Sequence, residues 1–378
     1  MLLRWMSELR QQGRVTPALA ARVDTRLYEQ SPNGVLAMPL AAMQSDGLFA
    51  RIKNVCSNAC RLARCVLRLR PELTIVAEGT VLAEAWVTLL LRALGAKTVI
   101  YVPLAQSATE MGFGRGALRD WLVRKLYRHL PHAWITLSNE QAKHFCEWSG
   151  IDRPVFVLPN TVANEIEQAA ARSDNSATRL IHKPLRVLIL GRLDAHQKNL
   201  DTLLNFLCFH VELSADFHFT FVGDGPFREQ IEQRLSVFPS LQKLVSLRSW
   251  SATLDVMRNH DVLLLASRYE GVPLVILEAM ALGLPVIASN LPGTRAMLNT
   301  DCLFPTGDYE QAMRLLHSIK QDERRMAVIQ CNRETFLANA SGAAFARAVD
   351  ALTDKLIEFT DSTPETDVQP DDVTVIRT

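Results

Sequence analysis

The chain has 378 residues, 48% of them apolar and 21% charged, a globular composition that excludes wholesale disorder and, by length, a single ordinary core. No stretch can span a bilayer: the best candidate, Ala85 to Leu94, is short and broken by Arg92. The net charge of +1 hides a split, because residues 1–160 carry 20 Lys and Arg against 12 Asp and Glu while residues 161–378 carry 21 against 28; a basic half suited to an anionic surface precedes an acidic one.

Helical periodicity over Leu2 to Gln12 opens the chain, without the charged leader, apolar block and cleavage site of a secretory signal. A short apolar run follows at Val35 to Leu40. Then helices and strands alternate: helix Leu48 to Leu69, strand Leu73 to Ala77, helix Leu82 to Leu94 closed by Gly95, strand Lys97 to Val102, and a basic helix Leu118 to Leu130. Strand Ala133 to Leu137, helix Asn139 to Trp148 and strand Val155 to Leu158 complete a first domain, 1–162. Residues 163–184 have little apolar patterning and read as a linker.

The pattern restarts at Arg186 to Leu190 and continues as helix Leu200 to Phe209, strand Phe217 to Val222, helix Arg228 to Leu235 and strand Leu244 to Leu247. Helix Thr253 to Arg258, strand Val262 to Ala266, helix Val275 to Leu282, strand Pro285 to Ala288, helix Glu310 to Ile319 and two closing helices follow, giving a second domain, 185–360. Residues 361–378 are an acidic, disordered tail. Strands alternating with helices imply parallel sheets with right-handed crossovers: an α/β chain of two doubly wound halves, with ligands in a cleft beyond the strand ends. Seven cysteines lie scattered with no Cys-x-x-Cys pair. Disulfides and structural zinc are not expected, and a reducing cytoplasm is.

Three strand ends carry the chemistry. Glu270-Gly271-Val272-Pro273-Leu274-Val275-Ile276-Leu277-Glu278 sets two carboxylates eight residues apart. Pro273 suits the first position of a helix whose free N–H groups favour a phosphate. Glu278, one turn in, can accept from ribose hydroxyls, and Glu270 from those of a sugar. Gly191-Arg192-Leu193-Asp194-Ala195-His196-Gln197-Lys198 puts two cations on a loop rim where a diphosphate could be neutralised. Gly223-Asp224-Gly225 turns another strand into a helix; without a third glycine it is not a dinucleotide fingerprint, and it is not a Walker loop. Singly, each of these reads as a solvated or turn residue. Only the set is specific.

In this order the three segments resemble the donor half of family 4 of the retaining GT-B glycosyltransferases. The resemblance runs on through Ala279 to Ser289 and Leu291-Pro292-Gly293. It is strong over 185–308 and loose over 72–162, where Leu158-Pro159-Asn160 is similar to that family's strand leaving the first domain. It implies a GT-B architecture, two Rossmann-like domains facing a cleft, and a nucleotide-diphosphate sugar as donor. Arg192 and Lys198 would hold the diphosphate, Glu278 the ribose and Glu270 the transferred sugar. The backbone of Gly271, Val272, Pro273 and Leu274, with Gly191 and Gly223, would complete the donor site. No metal or other cofactor is implied, and transfer retains the anomeric configuration.

The chain departs from that family in two places. Relatives carry a His at a first-domain strand end; here that strand runs into Pro103-Leu104-Ala105-Gln106-Ser107. Gln106, Ser107, Glu110 and, at the end of the preceding strand, Glu78 are candidates for that space. Relatives also open with a strand and a Gly-rich loop; this chain opens at what looks like the following helix, so the first strand is expected to be absent. Arg61, Arg64 and Arg68 on one helix face, and Arg115, Arg119, Arg124, Lys125 and Arg128 around Trp121 and Tyr127, suit either solvent or the anionic inner face of a cytoplasmic membrane. No nucleic-acid recognition motif accompanies them. The acceptor that the resemblance implies is a glycan or a polyprenyl- or lipid-linked sugar, in surface polysaccharide or glycolipid synthesis. Rival readings are a GT-B sugar-nucleotide epimerase and a non-catalytic nucleotide-sugar binder.

Overall fold

A computed structural model of the chain describes residues 2–22, 36–40, 48–172 and 182–361. They gather into two compact units, one of residues up to 109, 113–158 and from 345 on, the other of 110–112 and 159–344. Most of the expected 361–378 tail and the middle of the expected linker lie outside the described residues.

The first unit opens with α1 (Leu2–Gln12). A strand that periodicity does not show, β1 (Ala18–Arg22), pairs in parallel with β2 (Leu36–Leu40) as a two-stranded sheet. Its sequence, Ala-Leu-Ala-Ala-Arg, has no β-branched residue, so partner pairing rather than propensity makes it extended. Next come α2 (Leu48–Leu69), β3 (Thr74–Ala77), α3 (Ala85–Ala93), β4 (Thr98–Tyr101), α4 (Gly116–Lys125), β5 (Ala133–Thr136), α5 (Asn139–Ser149) and β6 (Val155–Val157). Strands β3-β4-β5-β6 form a parallel four-stranded sheet in chain order. Its core joins Leu62 and Val66 of α2 to Ile100, Trp134 and Phe145, the last two edge to face at 5.0 Å. Gly95, at φ +74°, ends α3 as expected, with its N–H on Arg92 O and the Ala96 N–H on Leu91 O. The basic helix is shorter than periodicity predicts and gives way to a 3₁₀ turn at Tyr127–His129.

The second unit begins with a correction. The stretch read as a patternless linker contains α6 (Asn164–Arg172), which buries Ile166, Ala169 and Ala170. Small alanines make that face, so it carries little hydrophobic signal. Then follow β7 (Leu185–Leu190), α7 (Leu200–Phe209), β8 (Phe217–Val222), α8 (Arg228–Val237), β9 (Val245–Arg248), α9 (Thr253–Arg258), β10 (Val262–Leu265), α10 (Leu274–Ala281) and β11 (Val286–Ser289). The short α11 (Pro292–Arg295) and β12 (Leu303–Phe304), too brief to show a period, precede α12 (Tyr309–Ser318) and α13 (Asp322–Asn339). The sheet is parallel in the order β12-β11-β10-β7-β8-β9. Phe217, Phe219 and Phe221 of β8 are fully buried in its core. The order reverses between β7 and β10, the switch point at which a doubly wound sheet opens a crevice beyond its strand ends.

The last helix, α14 (Gly342–Asp361), corrects the expected domain limits. From Phe345 on it belongs to the first unit rather than to a domain ending at 360. Arg14 pairs with Asp350 at 3.0 Å and with Asp354, Lys97 Nζ donates to Thr360 O at 3.2 Å, and Phe359 meets Phe156 at 6.0 Å.

Candidate active site

The loops after β7 and β10 carry Gly191, Arg192, Lys198 and Glu270 to Pro273, and these two strands are neighbours. After β7 the chain turns at Gly191, φ +143°. A side chain at Gly223 would strike the Gly191 carbonyl, and one at Gly225 the Leu193 carbonyl, so the two glycines let the β7 and β8 loops pack backbone to backbone. Asp194 Oδ1 accepts the Gln197 N–H at 2.8 Å, closing the turn that presents Lys198. Arg268, from the β10 loop, braces it: its N–H donates to Gln197 O at 2.9 Å, and its guanidinium reaches His196 O at 3.1 Å and Asp201 at 3.3 Å.

Lys198 Nζ donates to Glu270 Oε1 at 2.5 Å, and Ser267 Oγ donates to the same oxygen at 2.8 Å. Both partners are largely withdrawn from water, with side chains 18% and 9% exposed. Arg192 stands on the rim, 67% exposed, 3.6 Å from Asp194. Glu278 lies on α10, where burial pushes its carboxyl up to about 7. Among the described residues it has no hydrogen-bond or ion-pair partner. Pro273 does not open α10 at its first helical position; it caps it from an extended conformation, ψ 124°, and Leu274 is the first helical residue. Among the described residues nothing accepts from the N–H groups of Gly271, Val272 and Leu274, which leaves orphan donors at the positive end of the helix.

The acceptor-side candidates are divided. Glu78, Gln106 and Ser107 are buried in the first unit; Glu110 is exposed and groups with the second. Glu78, 1% exposed, accepts from the Tyr127 hydroxyl, which also meets Thr88 Oγ1 at 3.2 Å. Among the described residues its Oε2 has no hydrogen-bond partner, and burial raises its carboxyl to about 7 against the opposing pull of the Tyr127 bond. The loop carrying Gln106 and Ser107 is fixed from α4 and α5. Asp120 accepts the N–H groups of Ala108 at 2.7 Å and Thr109 at 3.0 Å, Trp148 Nε1 donates to Ala105 O at 3.0 Å, and Gln141 to Pro103 O at 3.3 Å. Sequence reasoning overlooked Asp120 and Arg268. Neither sits in a motif, and only the fold brings each to the loop it holds. Among the described residues no group of three His, Cys, Asp or Glu is placed to hold a metal.

Residues 184–322 match the family model described as glycosyl transferases group 1. Over those residues the chain is similar to the group 1 glycosyltransferases. The chain is 27% identical over 151 residues to the UDP-Gal:alpha-D-GlcNAc-diphosphoundecaprenol alpha-1,3-galactosyltransferase of Escherichia coli. It is 27% identical over 154 residues to the amylovoran biosynthesis glycosyltransferase AmsK of Erwinia amylovora. These matches cover 39% and 38% of this chain and 38% of each relative. Across 94% of the chain the fold resembles sucrose-phosphate synthase of Thermosynechococcus elongatus, covering 92% of it at a TM-score of 0.74 and 16% identity. It also resembles Anabaena HepE in complex with UDP and glucose, covering 94% of each chain at a TM-score of 0.67 and 14% identity. The fold is GT-B, with a parallel α/β sheet in each unit, as the resemblance implies.

Proposed function

We propose that the protein is a retaining glycosyltransferase of the family 4 type, moving a sugar from a nucleotide-diphosphate sugar to a glycan or a polyprenyl- or lipid-linked acceptor. The observation that carries this reading is the convergence at the β7/β10 switch point. Lys198, Glu270 and Arg192 stand on adjacent strand ends, beside three undonated N–H groups ahead of α10. Arg192 and Lys198 neutralise the diphosphate, and Gly271, Val272 and Leu274 donate to its oxygens or to the sugar. The unpartnered carboxylate of Glu278 accepts from the ribose, and Glu270 from a hydroxyl of the transferred sugar.

As the bond from the anomeric carbon to the phosphate oxygen breaks, charge gathers on the leaving diphosphate, where both cations and the helix start face it. That oxygen takes the acceptor's proton while the acceptor oxygen bonds to the carbon on the same side, so the configuration is retained. In this reading the two cations meet the electrostatic need, and transfer proceeds in a chelator without an added metal. Glu78, Gln106, Ser107 and Glu110 remain the acceptor-side candidates.

The diphosphoundecaprenol named for the Escherichia coli relative supports a polyprenyl-linked acceptor and a role in surface polysaccharide or glycolipid synthesis. Work at the inner face of the cytoplasmic membrane fits α4. There Leu118, Trp121 and Leu126 are 52%, 49% and 58% exposed, beside exposed Arg115, Arg124 and Lys125. No described helix is long and apolar enough to cross a membrane. The test is turnover with a panel of nucleotide sugars and lipid-linked acceptors. A product with the donor's anomeric configuration, plus free nucleoside diphosphate, supports the proposal; an isomerised donor, or binding with no turnover, overturns it.

A further inference from the structure

The segment Gly271-Val272-Pro273-Leu274 is gripped at three successive carbonyls. The Gly271 carbonyl lies against Gly293, so closely that any side chain there would collide with it. The Val272 carbonyl accepts from Asn160 Nδ2 at 2.8 Å, and the Pro273 carbonyl accepts the Ile276 N–H at 3.1 Å. Asn160 is only 7% exposed, and both partners belong to the second unit. Because a carbonyl can only accept, the atom of Asn160 facing it is the amide nitrogen.

A trans peptide is planar, with its N–H opposite its C=O. Fixing the Gly271 carbonyl therefore aims the Val272 N–H, and fixing the Pro273 carbonyl aims the Leu274 N–H. The peptide between them ends in proline and has no N–H. Its carbonyl is the one polar handle by which the two N–H-bearing peptides can be held in a common orientation, and Asn160 holds it.

We propose that Asn160 is a positioning residue for the donor loop: it touches no donor atom but aims the Val272 and Leu274 N–H groups at the donor's phosphate or sugar oxygens. This rests on the donor reading of the site given above. It also gives Asn160 a chemical requirement, a hydrogen-bond donor at that reach, that packing alone would not impose.

The experiment measures the dissociation constant of whichever of UDP, GDP and ADP binds the full-length wild type, by calorimetry from about pH 5 to 8. Asn160→Ala, Asn160→Asp and Lys198→Ala are compared with wild type at each pH, together with hydrogen–deuterium exchange over residues 270–276. Asn160→Ala should bind about tenfold more weakly at every pH, the loss of one buried hydrogen bond. Asn160→Asp should be at least as weak near pH 8, where a carboxylate faces the carbonyl. It should recover toward wild type near pH 5, where a protonated carboxyl can donate again. Exchange over 270–276 should quicken in both variants. Asn160→Ser keeps a shorter donor, and stands in with the same expected direction if Asn160→Ala does not fold.

Wild-type affinity in both Asn160 variants, with affinity lost in Lys198→Ala, overturns the positioning role and leaves the donor reading standing. Equal losses at all pH values in Ala and Asp, with a lowered melting temperature, also overturn it, since that is the mark of a purely structural residue. If no nucleoside diphosphate binds the wild type, the donor reading fails, and unchanged exchange over 270–276 would then overturn the brace itself.

Discussion

Lys198 Nζ and Glu270 Oε1 lie 2.5 Å apart, one from the loop after β7 and the other from the loop after β10. The pair keeps a buried carboxylate compensated before any donor arrives, and it ties the two strand ends that form the switch point. Each partner therefore has a structural duty besides the one proposed with the donor.

Removing Lys198 should show both duties. Lys198→Ala should weaken nucleoside-diphosphate binding by about 1.5–3 kcal/mol, the scale of a charge-assisted hydrogen bond. It should also lower stability, because Glu270 keeps Ser267 but loses its cation. Glu270→Ala should spare diphosphate binding and depress transfer. Calorimetry, denaturant titration and transfer rates on the two variants check this, and unchanged affinity in Lys198→Ala removes the assignment.

Two carboxyls, Glu78 buried and Glu278 half-buried, set a pH dependence. Burial raises Glu278 and Glu78 to about 7 from the usual 4.5. For an acid raised on folding, the folded state binds the proton more tightly than the unfolded. The associated stability is thus complete below about pH 4.5 and is lost as pH rises through 7. Glu278→Gln and Glu78→Gln should each gain about 1–3 kcal/mol on wild type near pH 8 and little near pH 4.5. Nucleotide affinity should move the opposite way in the wild type, weakening as pH falls through 7 and Glu278 gains its proton; Glu278→Gln should flatten that slope. Melting curves and calorimetry across this range give both readouts.

The glycine contacts make a sharper steric prediction. Gly223→Ala and Gly293→Ala drive a methyl into the Gly191 and Gly271 carbonyls, which are backbone and cannot swing aside. Each should cost about 3 kcal/mol or more. Gly79→Ala, which faces open space, is the matched control and should be nearly neutral. Denaturant midpoints of the three variants decide it.

The α4 face should bind anionic vesicles. Basic side chains at an anionic surface contribute about 1 kcal/mol each, and the half-exposed Trp121 and Leu118 add apolar burial. Tyr127 takes no part, since it is 2% exposed and packs on Trp134. Co-sedimentation should favour anionic over neutral vesicles and weaken in high salt. Arg124, Lys125 and Arg128 changed together to Glu should abolish it; equal partitioning to both lipids would return the face to ordinary solvent exposure.

Much of the fold and of the site is legible in the sequence. Long strands such as Phe217–Val222, and helices with a wide apolar face such as Leu48–Leu69, announce themselves by period, and the loops after β7 and β10 by residue type. The losses have physical causes. β1 and α6 are built from alanine-rich segments that carry little hydrophobic contrast. β12 is two residues long. Pro273 suits either the cap or the first helical position, and only the backbone angle separates them. Spacing identified Lys198 and Glu270 but assigned them to different parts of a donor; that they bond to each other depends on β7 lying beside β10, which no local pattern encodes. The same holds for Asn160, 112 positions from the carbonyl it grips.

The return of α14 to the first unit has a consequence for how the protein is made. Residues 159–344 of the second unit form an almost unbroken stretch, whereas the first unit needs residues from both before and after it. On the ribosome the second unit can therefore finish while the first still waits for the segment from Phe345 that carries Asp350, Asp354 and Phe359. The partners of that segment, Arg14, Lys97 and Phe156, emerge first and are satisfied last. N-terminal-first folding, the usual order for a multidomain chain, is thus reversed here. A released chain truncated after residue 344 should hold a protease-resistant second unit beside a first unit that is still open to cleavage.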